Sequence, residues 1–192
     1  MALGYANVSR PLGFNPLFPV GRVHSNVVTR PTTAPRHAAT GGNASLDLAI
    51  GDAYALDNAG FAYRAGPSDV VRGIVIGFVF QANPLVMNGA GPVSIDYLTG
   101  TSTPYPTVIG VEDNGAEFNV QADTLSLAQV GGSVNLADAA PDPLFRQSRQ
   151  TINVGGGAGT QFKIIGLVND PASNSFGTNA RAVVRMLTAL QG

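Results

Sequence analysis

The sequence predicts an all-β protein: a β-sandwich or β-barrel body carrying a long extended N-terminal arm. Three observations lead there. Short runs rich in Val, Ile, Phe and Tyr recur between Gly- and Pro-rich turns, the signature of many short strands around one core. The first 46 residues hold four arginines (Arg10, Arg22, Arg30, Arg36), both histidines (His24, His37) and five prolines, with no Asp or Glu. The remainder holds all twelve acids against seven Lys and Arg, so the arm carries +4 and the rest −5, which sum to the chain's −1. Proline fixes φ, lacks an N–H and pushes its preceding residue toward extended backbone, so the arm cannot fold as one helix. Residues 1–45 are therefore read as the arm and 46–192 as the body.

Elements follow in order along the body. The arm ends in the small-residue stretch Ala38 to Asn43. Leu46 to Ile50 alternates, Ala53 to Leu56 resumes after Gly51-Asp52, and Phe61 to Arg64 returns as the second strand of a hairpin across Asp57-Asn58-Ala59-Gly60. Val70 to Phe80 is the most hydrophobic run, and its β-branched residues favour a central strand. Val108 to Glu112 and Ala116 to Val120 flank Asp113-Asn114-Gly115, where Asn-Gly predicts a tight hairpin turn with positive φ. Further strands are expected at Ser133 to Leu136, Gln150 to Val154, Thr160 to Val168 and Ala180 to Leu187, with a short helical turn conceivable between Asp123 and Gln129.

Two patterns repeat. Ile76-Gly77, Ile109-Gly110 and Ile165-Gly166 each set glycine inside an apolar strand, where it marks a bulge or a close approach of neighbouring groups. Gly51 to Asp57 also resembles Gly132 to Asp138. Internal duplication is one explanation, and chance alignment of abundant Val, Ile and Gly is the other.

Composition excludes several classes. Charged residues are 12% of the chain, about half the usual share of roughly 25%. Coverage of this sparsely charged surface by neighbours in an assembly is the favoured explanation. There is no cysteine, hence no disulfide framework and no thiolate metal site. No run approaches the roughly 18 apolar residues of a membrane helix, and no charged-then-apolar signal pattern opens the chain, so a soluble protein made in the cytoplasm is expected.

Candidate chemistry is sparse. Both histidines sit in the arm, away from any scaffold that could hold them beside a serine. Lys163, the single lysine, reads as a solvent-facing position of an alternating strand. The acid clusters Asp47, Asp52, Asp57 and Glu112, Asp113, Glu117 lie around turns, where carboxylates serve solvation and backbone hydrogen bonds, and their spacing does not fit a calcium loop. Gly155 to Gly159 lacks the Lys-Ser/Thr of a phosphate loop and precedes a strand, so a mobile loop is expected. No catalytic residue, cofactor or metal site is assigned. The arm's arginines are widely spaced and its Tyr5, Phe14 and Phe18 form no stacking platform, which favours a protein partner over nucleic acid.

Gly51 to Asp57, Phe61 to Ala65 and Arg72 to Phe78, with Phe162 to Pro171, Phe176-Gly177 and Ala182 to Met186, resemble tailed-bacteriophage head decoration (capsid cement) proteins over about a third of the chain. That resemblance implies a non-catalytic virion protein with a β-rich body, often a homotrimer. It would seat on the capsid surface against the major capsid protein, its arm reaching across neighbouring coat subunits. The arm is longer than in the smaller decoration proteins. On this reading Leu3, Tyr5, Leu12, Phe14, Leu17 and Phe18 are apolar anchors, and Arg10, Arg22, Arg30 and Arg36 pair with coat carboxylates. A β-barrel coat subunit, a tail or fibre component and a two-acid enzyme using Glu112 and Glu117 are the alternatives.

Overall fold

The computed structural model describes residues 7, 9, 11–17, 27–32, 48–79, 97–98, 107–142, 147–170 and 174–187. Among them are fifteen strands: β1 (Asn15–Leu17), β2 (Val27–Pro31), β3 (Leu48–Ala49), β4 (Ala53–Leu56), β5 (Ala62–Arg64), β6 (Gly73–Val79), β7 (Tyr97–Leu98), β8 (Thr107–Val111), β9 (Glu117–Gln121), β10 (Thr124–Leu125), β11 (Ser133–Ala137), β12 (Thr151–Asn153), β13 (Phe162–Leu167), β14 (Gly177–Thr178) and β15 (Arg181–Met186). Among the described residues a 3-10 turn spans Leu127–Gln129. The all-β expectation holds.

Two main antiparallel sheets carry the fold, ordered β1-β9-β15-β13-β11-β12 and β2-β8-β6-β4-β5, with ribbons β3-β7 and β10-β14 beside them. β15 shows why this sequence forms strand: Ala182, Val184 and Met186 are buried while the alternate residues, Arg181 and Arg185 among them, lie at least partly exposed. β6 is the middle strand of its sheet, as its hydrophobicity predicts. One large core runs through both sheets, and a second cluster (Leu48, Tyr54, Ala62, Val75, Val108) fills the other face of the five-stranded sheet.

The chain is a structural repeat. Each strand from β2 to β8 has a counterpart seven places on, from β9 to β15: β2-β8-β6-β4-β5 matches β9-β15-β13-β11-β12, and β3-β7 matches β10-β14. The registers match as well. β6 shifts register between Val75 and Gly77 against β8, and β13 shifts between Ile164 and Gly166 against β15. Parallel bridges Thr32 to Ala62 and Ala122 to Ile152 bring the ends of each repeated five-strand unit together. Gly51 (φ 91°) and Gly131 (φ 87°) turn alike before β4 and β11, donating to Val75 O at 2.8 Å and Ile164 O at 2.9 Å. The sequence pairing of Gly51 to Asp57 with Gly132 to Asp138 is thus one residue out of register, since Gly51 corresponds to Gly131. Gly77 and Gly166 mark bulges, whereas Gly110 faces the Tyr54 ring, which leaves no room for a Cβ there.

Three expectations are corrected. β8 and β9 do not form a hairpin, because β8 pairs with β2 and β6 and β9 with β1 and β15. Neither Asn114 nor Gly115 takes positive φ. Asp113 instead caps an ordinary turn, accepting from Gly115 N at 2.7 Å on its carboxylate and from Ala116 N at 3.1 Å on its carbonyl. Such a turn splays its flanking strands and passes the chain from one repeat to the next. Second, the arm is not wholly outside the body: β1 is an edge strand on β9 and β2 an edge strand on β8. Third, the glycine loop is held, with Asp123 accepting from Val154 N at 2.8 Å and Gly155 N at 3.1 Å, and Asn153 from Gly156 N at 2.8 Å.

Candidate functional site

The N-terminal segment is seated where the two repeats meet. Gly13 has φ 67°, and a Cβ there would collide with the Ser148 side chain and Gly51 O, so glycine is required on both conformational and steric grounds. Phe14 N donates to Gly51 O at 2.7 Å, and the buried Phe14 ring stacks on Phe162 with centroids 4.6 Å apart. β1 then continues along β9, placing Leu17 opposite Glu117. Upstream, the Asn7 amide donates to Ser175 O at 2.8 Å and Thr178 O at 2.9 Å, and its Oδ1 accepts from Ser175 N.

Below this seat lies a buried polar cluster. Asp52 is fully buried and accepts from the Ser148 hydroxyl and from Ala49 N, the latter at 2.9 Å. Burial pushes its carboxyl up to about 7, against the opposing pull of those hydrogen bonds and of Arg64. Arg64 itself is committed to Asp138 at 2.9 Å in a pair almost closed to solvent. Gln150 accepts from Ala53 N at 2.6 Å and donates to Ala65 O at 2.9 Å, while Gln161 donates to Gly66 O at 2.8 Å and Asp69 O at 2.7 Å. Residues of the second repeat thereby satisfy backbone groups of the first, and burial strengthens each bond.

Arg30 of β2 grips Glu112 through two bonds, at 2.7 and 2.6 Å, and Tyr54 Oη donates to the same carboxylate at 2.7 Å. Desolvation alone would raise the Glu112 carboxyl, but the Arg30 and Tyr54 hydrogen bonds outweigh it and hold it below the ordinary Glu value. Burial, then the bond to Glu112, raises the Tyr54 phenol.

The predicted partner-binding residues therefore divide. Leu12 is exposed and Leu17 is partly buried in β1. Phe14 belongs to the core and Arg30 to an internal ion pair, so both serve this chain's own fold. Leu3, Tyr5, Arg10, Phe18, Arg22 and Arg36, with His24 and His37, lie outside the described residues.

Two acids expected to be solvated near turns, Asp52 and Glu112, are instead buried. Glu117 pairs with Arg185, at 2.5 Å. Lys163 faces solvent as expected. Ser148 and Asp52 are both closed to substrate, and among the described residues no three His, Asp or Glu side chains converge on a metal position. The amides of Val154 and Gly155 are spent on Asp123 and do not cradle a phosphate.

Ser148, Gln150 and Gln161 carry no sequence signal, because nothing in their spacing distinguishes a buried polar tie from a solvated one. Compared with protein-family models, curated proteins and solved structures, the chain matches none of them.

Proposed function

We propose that the protein is a virion structural component that binds the assembled capsid shell and stabilises it without catalysis, its N-terminal arm clamping neighbouring subunits of the major capsid protein. The observation that carries this reading is the acid-free, Arg- and Pro-rich N-terminal segment on an acidic all-β body. Its root at Gly13 to Leu17 is anchored between the two repeats, so tension on the arm would be delivered into the core. The prolines limit the free ensemble and lower the cost of ordering on a partner. A homotrimer is the proposed assembly, presenting six copies of one strand unit around its axis and multiplying weak arm contacts by avidity.

The test is co-sedimentation with empty expanded heads built from the coat protein of the same genome. Deleting residues 1–45 would remove β1 and β2, so the arm is better tested by removing residues 1–6 and replacing Arg10, Arg22 and Arg36 with Ala. Saturable binding at fixed stoichiometry, weakened at least tenfold in this variant with the body still folded, is expected. Unchanged binding would rule out the clamp.

A second reading, a β-barrel coat subunit, draws on the bridges that bring together the ends of each five-stranded arrangement. Self-assembly of the purified protein into shells would favour it.

A further inference from the structure

The N-terminal segment packs on Ser148 and Gly51, the two residues that flank the buried Asp52 carboxyl, and the nearby Arg64 is already paired with Asp138. We propose that Asp52 is a proton-controlled latch: neutral Asp52 holds Gly13 to Leu17 against the two repeats, and ionised Asp52 lets the segment lift. This goes beyond shell binding and does not depend on it, because the latch acts within one chain.

The geometry supplies the coupling. Gly13 packs on Ser148, Ser148 donates to Asp52, and Phe14 N is tied to Gly51, the residue before Asp52. Lifting Gly13 and Phe14 uncovers Ser148 and breaks the bond to Gly51 O, the two links through which the segment reaches Asp52. The charged groups facing Asp52 are Arg64 of β5, which favours its ionisation, and Asp138 after β11, which opposes it. Those two are paired with each other, so their fields largely cancel. Among the described residues, a carboxylate at this depth keeps only the Ser148 and Ala49 donors, whereas once the segment lifts it gains water.

The sign follows from proton linkage. The latched state holds a proton on Asp52 up to about pH 7, whereas the lifted state releases it near the ordinary value of 3.8. Lifting is therefore hardest below that ordinary value, becomes progressively easier as pH rises between the two values, and levels off above the higher one.

Hydrogen exchange of the Phe14 amide in the full-length protein, corrected for intrinsic rates, reads the latch. Its protection is expected to fall at least tenfold from about pH 4.5 to about pH 7 and then flatten, with a limiting slope of about tenfold per unit. Asp52→Asn, which cannot ionise and can still accept from Ala49 N while its Nδ2 donates to a rotated Ser148 hydroxyl, should give protection independent of pH. A wild-type profile as flat as that of the variant would overturn the proposal. If Asp52→Asn does not fold, NMR on the wild type decides: a Phe14 amide shift that titrates together with the Asp52 carboxyl carbon above about pH 6 supports the latch, and titration of Asp52 near the ordinary Asp value, or a Phe14 amide that does not follow it, overturns it.

Discussion

Phe14 and Phe162 stack with their ring centroids 4.6 Å apart and their planes 18° from parallel, which makes a residue from the N-terminal arm part of the central core. Phe162 opens β13 in the second repeat, while the Phe14 backbone bonds Gly51 in the first. The arm's root is consequently a wedge between repeats. Whatever the outer arm binds, its hold on the body depends on this contact.

Truncating the wedge measures that hold. Phe14→Ala should cost about 3–5 kcal/mol, the usual range for deleting a buried aromatic side chain. Urea unfolding followed by circular dichroism would read it. A loss below about 1 kcal/mol would mean the site collapses around the gap or that the wedge is dispensable.

Gly13 and Gly131 separate backbone strain from crowding. Both take positive φ, but a Cβ on Gly131 meets nothing within 4 Å, whereas one on Gly13 runs into Ser148 and Gly51. Gly131→Ala should cost about 1–2 kcal/mol from left-handed backbone alone. Gly13→Ala should add about 1–3 kcal/mol of overpacking. Equal melting-temperature losses for the two variants would contradict the packing of the arm on Ser148.

The repeat makes a stronger test possible. Tyr54 lies against Gly73 and Gly110 in the first repeat, and the matching positions in the second are Val134, Phe162 and Val184. Volume has been exchanged between strands at one spot. Gly110→Val alone should therefore be severely destabilising, and adding Tyr54→Val should recover part of the loss. A coupling of about 1–3 kcal/mol is expected in the double-mutant cycle. Additive effects would show that the two repeats are not packed equivalently here.

Local backbone preferences were readable in the sequence because they depend on neighbours along the chain. The alternation of β15, the apolar β6 and the glycines at the two bulges all belong to that class. Pairing partners were not readable in the same way. Val108 to Val120 looks like a hairpin because Asn-Gly favours one, yet β8 and β9 each find a better-buried partner in their own repeat, and tertiary packing overrides the turn preference. The repeat was visible only as two short similarities, since what it conserves is register and bulge position while volumes trade places across strands. Arg30 and Phe14 read as partner-binding because they sit in a proline-rich, acid-free stretch. Their partners Glu112 and Phe162 lie far along the chain, and no periodicity connects residues at such separations.

Glu112 supplies a pH test of opposite sign to that of Asp52. Its carboxyl is held below the ordinary value of 4.5 by Arg30 and Tyr54 despite desolvation, so its contribution to stability is present above that value and is lost as pH falls through the lowered one. Arg30 is about one-third exposed, which weakens the pair by solvent screening. Glu112→Gln should thus cost only about 1–2 kcal/mol near neutral pH, toward the lower end for bonds to charged groups. The gap to wild type should shrink as pH is lowered below 4.5, because protonation removes the same charge that the substitution removes. Chemical unfolding of both proteins across that range checks it. A gap that stays constant down to acid pH would mean that shape complementarity around Tyr54, and not the carboxylate charge, gives Glu112 its effect on stability.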